Sequence, residues 1–143
     1  LVGSEMCIRD SAHIAPGVFT LGEIAYMNED GYVFITDRFS DMVVSGGVNI
    51  YPAEAEQVLI EHPAVLDVAC IGVPNKEMGE ELKALVILKE DIETSPTEEV
   101  LIAWSREKLS HYKCPRTLEF VEDLGRNTMG KINKRKLRAP YWD

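Results

Sequence analysis

The sequence predicts an α+β fold: a small mixed β-sheet packed with helices and preceded by a β-hairpin. Three observations carry that prediction. Residues 65–73 and 82–88 are apolar runs rich in Val, Ile and Leu, the length and composition of buried strands. Two amphipathic stretches with helix-start chemistry, beginning near Pro52 and Pro96, alternate with those strands. Upstream, residues 23–27 and 32–36 are strand-like and flank Asn28, Glu29, Asp30 and Gly31, which is hairpin turn chemistry. At 143 residues, 45% hydrophobic and 27% charged, the chain can bury one proper core. A net charge of -9 argues against non-specific nucleic-acid binding. No apolar run approaches the roughly twenty residues of a membrane span. Cys7, Cys70 and Cys114 are odd in number and lack metal-type spacing, so neither a disulfide framework nor a metal site is expected, and a reducing cytoplasm fits best.

Residues 1–11 show no hydrophobic period and look like translated adapter sequence, a non-native or disordered leader left out of the fold. The hairpin that follows delivers Arg38 to a charged joint. Met42, Val43 and Val44 then read as a short strand, interrupted by Ser45, Gly46 and Gly47, residues that permit positive φ and close backbone approach. Pro52 suits the first turn of a helix whose apolar stripe is Ala53, Ala55, Val58 and Leu59, and His62 and Pro63 stop it. Residues 65–73 are expected to be a central strand, residues 74–79 a loop, and residues 82–88 its pairing partner. Ser95, Pro96 and Glu98 match an N-cap, a first-turn proline and a capping-box glutamate. The helix they begin should run to about Leu109, with Val100, Leu101, Trp104 and Leu109 on its apolar side. Residues 117–121 read as a third strand, residues 125–130 as a mobile loop, and residues 132–137 as the start of a basic terminal helix.

Taken singly, the polar residues say little. Gly46 and Gly47 fit neither the phosphate-binding P-loop nor the dinucleotide-binding glycine pattern. Lys131 follows Gly130 in RNTMGKI, where a flexible loop would let an ammonium reach toward phosphate or carboxylate, although such a lysine is usually just solvated. Glu54 suits a helix N-terminus or a neighbouring backbone amide. His62 and His111 lack triad-like partners and read as surface residues, and Trp104 reads as core. Lys134, Arg135, Lys136 and Arg138 form a basic run read as a solvated face, with attraction to the phosphates of a ligand as the sharper alternative.

Together, GEIAYMNEDGYVFITDR, SDMVVSGGVNIYPAEAE, HYKCPR and RNTMGK resemble the closing motifs of the adenylate-forming enzymes: acyl-CoA synthetases, luciferases and peptide-synthetase adenylation domains. The resemblance covers residues 19–138 and is nearest in form to fatty-acyl and aryl CoA ligases. It implies that residues 12–39 end an N-terminal domain and residues 40–143 form the C-terminal lid of the family. It also implies two chemical steps. A carboxylate attacks the α-phosphate of ATP to give acyl-AMP and pyrophosphate, and the thiol of CoA then displaces AMP.

By that resemblance Lys131 is the adenylation lysine, Glu23 accepts hydrogen bonds from the ribose hydroxyls of ATP, and Arg38 contacts the ribose or phosphate side of the nucleotide. Glu23 replaces the usual aspartate, keeping two acceptor oxygens on a longer stem. The hinge falls at Ser40, a departure from the common aspartate or lysine, with Asp41 as the adjacent alternative. Gly46 and Gly47 correspond to the glycine loop lining the pantetheine channel, and Tyr112 and Arg116 to CoA-contacting residues. Gly125 stands where proline is common, which should loosen the loop carrying Lys131.

ATP and CoA enter as substrates, with Mg2+ expected alongside ATP and its ligands outside this chain. The large N-terminal domain has no counterpart in these residues, so the partner expected in cis is that adenylation domain, and the chain is expected to be inactive alone. A non-catalytic, free-standing binding module of the same fold is the competing expectation. The acid, fatty or related, would be selected by residues that the resemblance places outside this chain.

Overall fold

A computed structural model of the chain describes residues 13–15, 18–19 and 22–142. The expected leader, residues 1–11, lies outside the described residues. Contacts divide the chain into two compact units, parting between Ser40 and Asp41.

The first unit holds two antiparallel pairs. β1 (His13–Ala15) pairs with β2 (Val18–Phe19), and β3 (Glu23–Met27) pairs with β4 (Val33–Arg38). The turn between β3 and β4 closes as its composition predicts. The Asn28 side chain accepts from the Tyr32 N–H at 2.9 Å, and Gly31 takes φ 86°. The fourth strand runs two residues past the expected Thr36, through Asp37 to Arg38.

The second unit is built on a five-stranded mixed sheet, ordered β6-β5-β8-β7 with β9 on β8. Its elements are β5 (Val43–Ser45), β6 (Val48–Ile50), α1 (Pro52–Ile60), β7 (Val65–Asn75), β8 (Gly79–Leu88), α2 (Glu98–Lys108), β9 (Thr117–Phe120) and α3 (Lys134–Arg138). β9 pairs parallel to β8, and the other pairings are antiparallel, which makes the sheet mixed as expected. β7, expected to be central, lies at the edge, and β8 takes the centre between β7 and β9. The continuous apolar run of β7 arises because both of its faces are covered. Val65, Val68 and Cys70 pack with Leu59 and Leu101 under α1 and α2, while Ala69, Ile71 and Val73 pack with Leu124 on the other side.

Side chains bond two backbone groups on the free edge of β7. Glu56 accepts from the Cys70 N–H at 2.7 Å, and the Trp142 indole donates to the Gly72 carbonyl at 3.0 Å. These contacts blunt an edge that would otherwise template further strands.

Several local expectations change. Residues 74–79 are not an open loop: β7 and β8 extend toward each other and leave only Lys76, Glu77 and Met78 between them. The helix expected to be capped by Ser95 begins at Glu98 with Thr97 at its N-cap. Pro96 biases Ser95 away from helical backbone, and the extended Thr97 restarts the chain. Its hydroxyl bonds the Glu99 carboxylate, which holds that group below the usual range. Val100 points to solvent, and the buried face of α2 is Leu101 and Ser105, with Ile102 and Leu109 against it. Trp104 is half-buried, and its indole donates to the Val58 carbonyl at 3.0 Å, fastening α2 to α1. His62 is not a free surface residue: it meets the Trp104 ring edge-on at 5.0 Å. Desolvation there, then Lys89, lowers its pKa. The last helix starts at Lys134, where the Asn133 side chain accepts from the Lys136 N–H at 3.1 Å.

Candidate functional site

The second unit carries two separate constellations. The first is a groove of about 260 Å³ whose lining includes Gly46, Met78, Arg106, His111, Tyr112 and Arg116. Each arrives for a local reason. Gly46 and Gly47 take φ 57° and 81°, the two positive values that a tight type I′ hairpin between β5 and β6 demands. The Gly46 N–H donates to the Met78 carbonyl at 2.9 Å, so this turn lies against the turn between β7 and β8. Tyr112 sits on a single 3-10 turn, His111–Lys113. Lys113 of that turn pairs with Glu54 of α1, whose carboxylate raises the Lys113 pKa. Glu54 therefore fixes this turn rather than a helix-start amide. Arg116 enters β9 with its N–H on the Leu82 carbonyl at 2.9 Å.

The structure thus brings Gly46, Tyr112 and Arg116 to one groove. Gly47 shares the turn but does not line the groove, and a Cβ built on it meets no atom within 4 Å. The lining combines two guanidinium groups, an imidazole and a phenol with apolar Val48, Ile50, Leu82 and Pro115, so it offers partners for anionic oxygens and for an apolar chain.

The second constellation surrounds Lys131, which is exposed. The segment before it, expected to be mobile, is closed by hydrogen bonds. Arg126 makes a bidentate contact with Asp67, Nε to Oδ2 at 2.6 Å and Nη2 to Oδ1 at 2.7 Å, and its Nη1 donates to the Gly130 carbonyl. The Asn127 side chain accepts from the N–H of Met129 and of Lys131, at 3.0 and 2.9 Å. Gly125, expected to loosen the loop, takes φ 62° and donates its N–H to Asp123 at 2.9 Å. Behind the loop, Lys134 is not part of a solvated basic face: it pairs with Glu56 at 2.7 Å with its side chain only 15% exposed. Asp67 anchors this constellation near the start of β7. The groove is lined by Met78, in the turn between β7 and β8, and by Leu82, which pairs with Gly72, and it shares no residue with the Lys131 loop.

In the first unit, Glu23 and Arg38 face each other across β3 and β4, with 3.6 Å between Oε1 and Nε. Ser40 and Asp41 lie on the 3-10 turn Phe39–Asp41, where the two units part. Among the described residues, no group of three or more His, Cys, Asp or Glu is placed to hold a metal ion. No helix among them is long and apolar enough to cross a membrane.

Sequence reasoning missed Asp67, Arg126 and Asn127 as a unit. Asn127 could have been found, because an asparagine four residues before the lysine is a local side-chain-to-backbone signal. Asp67 could not, since it lies 59 residues from its partner.

Known proteins share this architecture. A 2-succinylbenzoate–CoA ligase of Geobacillus kaustophilus is 43% identical over 125 residues, 87% of this chain and 25% of that protein. A long-chain-fatty-acid–CoA ligase of Escherichia coli O6:H1 is 42% identical over 125 residues, 87% of this chain and 22% of its own length. ATP-bound MatB from Rhodopseudomonas palustris superposes with a TM-score of 0.83 at 36% identity, over 93% of this chain and 26% of that one. The chain therefore spans about a quarter of the length of these relatives. The family described as the AMP-binding enzyme C-terminal domain matches residues 54–131, from the Glu54 of α1 to Lys131 itself. This chain belongs to that family, as the C-terminal domain of an adenylate-forming enzyme.

Proposed function

We propose that the chain is the C-terminal lid of an ATP-dependent carboxylic acid–CoA ligase and that it serves two half-reactions with two different faces. The observation that carries this reading is that the groove and the Lys131 loop share no residue and are built on different elements of one unit. A domain serving one step would need one constellation, whereas this one holds two.

In the first step the acid's carboxylate oxygen attacks the α-phosphorus of ATP, and the bond to pyrophosphate breaks. The Lys131 ammonium supplies positive charge where negative charge gathers on the carboxylate and phosphate oxygens. Glu23 accepts from the ribose hydroxyls and Arg38 donates to the ribose or phosphate side; their adjacency in one cross-strand pair supports a shared target. Mg2+ would accompany ATP, held by residues of the N-terminal domain in cis. In the second step the thiol of CoA attacks the acyl carbonyl and AMP leaves with the bonding electrons. Gly46 keeps the channel wall low for the pantetheine arm, Gly47 completes the turn that carries it, Tyr112 offers a stacking face, and Arg116 pairs with phosphate. Rotation about Ser40 and Asp41 presents one face and then the other.

The hairpin of the first unit supports a seat in a larger body, since Tyr26, Val33 and Ile35 are more than three-fifths exposed at 61%, 65% and 69%. The relatives' names span an aryl and a fatty acid, and within that range we propose a fatty or related acid. The test replaces the matching segment of a related CoA ligase with residues 22–143 of this chain. Acid-dependent pyrophosphate release and thioester formation support the reading. A folded chimera that releases no pyrophosphate across fatty, aryl and dicarboxylic acids contradicts it and favours a non-catalytic module.

A further inference from the structure

We propose that Arg126, clamped by Asp67, is the positioning residue for Lys131, tying the reach of its ammonium to the rigid β7 strand. The inference rests on the reading of Lys131 as the adenylation lysine and deepens it.

Lysine carries its charge on four rotatable bonds, so its ammonium is placed no better than its own backbone. The backbone before Lys131 has no strand or helix to hold it, and Gly125 and Gly130 take φ 62° and 76°. Arg126 supplies the missing rigidity. Its guanidinium uses three nitrogens at once: two on the Asp67 carboxylate and the third on the carbonyl of Gly130, the residue bonded to Lys131. Such a planar fork fixes direction as well as distance, which a lysine in its place could not do.

Asp67 is a firm anchor in turn. It sits on β7, whose next residues are buried on both faces, and its side chain is only 21% exposed. Its carboxylate also accepts from the Val68 N–H at 2.9 Å. The Arg126 hydrogen bond holds the Asp67 pKa below its ordinary value, so the clamp is fully charged at neutral pH. Asn127 completes the frame from inside the loop. Its side chain accepts from the Lys131 N–H at 2.9 Å, and its own N–H donates to the Lys131 carbonyl at 3.0 Å. The path from sheet to lysine therefore runs Asp67, Arg126, Gly130, Lys131. A purely structural pair would affect both half-reactions alike through stability, whereas a positioning pair affects only the step that Lys131 serves.

Two measurements test this. In the full 143-residue chain, backbone amide exchange is followed by NMR for the parent, Arg126→Gln and Asp67→Asn. The amides of Met129 and Lys131 should exchange about tenfold faster in both variants, with the β7 and β8 amides unchanged. Unchanged loop rates would overturn the clamp whatever the activity of Lys131. In the ligase chimera, Arg126→Gln should slow acyl-adenylate formation about 100-fold, the scale of a misplaced catalytic group. Thioester formation from supplied acyl-adenylate should stay within about twofold, and the Asp67→Asn, Arg126→Gln double variant should be no worse than the worse single. Arg126→Lys should recover only part of the loss, because it keeps the charge and loses the fork. Equal losses in both half-reactions would make the pair merely structural and overturn the proposal. Lys131→Ala runs alongside. If it leaves adenylation intact, the reading of Lys131 fails; if it abolishes adenylation while Arg126→Gln leaves the adenylation rate unchanged, the clamp alone fails.

Discussion

Gly46 and Gly47 allow the groove to be separated from the turn that builds it. Both carry positive φ, 57° and 81°, so alanine at either position meets the same left-handed backbone strain of about 1–2 kcal/mol. They differ in what the new methyl would touch. At Gly46 a Cβ falls 2.9 Å from the Met78 sulfur, whereas at Gly47 nothing lies within 4 Å. The Met78 sulfur belongs to a flexible thioether that can swing aside, so the close contact adds little to the stability cost. Because Gly46 and Met78 both line the groove, the methyl and the displaced side chain narrow it together. Gly46→Ala and Gly47→Ala should therefore lower the melting temperature by similar amounts, roughly 4–12 °C for a unit of this size. Thioester formation should separate them: Gly46→Ala should be slower than Gly47→Ala by about tenfold, equivalent to ~1.4 kcal/mol of barrier. Circular dichroism melts supply the first quantity, and CoA-dependent consumption of supplied acyl-adenylate by the ligase chimera supplies the second. Equal thioester rates at equal folded fraction would refute the assignment of Gly46 to the groove wall.

Other consequences concern the frame. Leu101→Ala, at a fully buried position on α2, should cost about 2–5 kcal/mol in denaturant unfolding, whereas Val100→Ala on the exposed side should stay within about 0.5 kcal/mol. Asp67 has its folded pKa depressed, first by the Arg126 hydrogen bond, so its contribution is present above the unfolded value of 3.8 and is lost as pH falls through the folded one. Asp67→Asn should accordingly flatten the acid limb of a stability-against-pH curve below about pH 4. Tyr141 shows the opposite sign. Burial, and then its hydrogen bond to Glu119, push it up to about 12, so its contribution is present below 10.0 and is lost as pH rises toward 12. Tyr141→Phe should remove that alkaline limb in melts taken between those values.

The legible parts of the fold were those encoded by neighbours in sequence. Asn28 and Gly31 announce a turn because an asparagine side chain and a positive φ are local requirements, and Pro52 marks a helix start because its fixed φ suits the first turn. The run of apolar residues in β7 identified a buried strand but not its place in the sheet. Burial on both faces reads the same at an edge covered by helices as at a centre. Pro74 suggested that β7 had ended, yet the strand continues to Asn75. Its register explains why: the N–H groups at alternate positions such as Cys70 point away from β8, so at Pro74 no ladder hydrogen bond is forfeited.

The site divides along the same line. Gly46, Gly47, Tyr112, Arg116 and Lys131 were visible as residues in motifs, whereas their grouping depends on contacts between distant segments. Glu54 with Lys113, and Asp67 with Arg126, are each 59 residues apart, and no local rule links a carboxylate on one element to a cation on another. The same limit made Lys134 look solvated, although Glu56 holds it.

The central claim is that one domain serves two reactions with two separate sets of residues, and a crossed pair of variants tests it most directly. Lys131→Ala and Arg116→Ala would each be placed in the ligase chimera and assayed for acyl-adenylate formation and, separately, for thioester formation from supplied acyl-adenylate. Lys131→Ala should slow the first step by about 100–1000-fold and spare the second, as expected for loss of one charge-stabilising contact. Arg116→Ala should raise the KM for CoA in the second step and spare the first. If both variants impair the same step, or if Lys131→Ala matches the parent in both, the two-site account is contradicted.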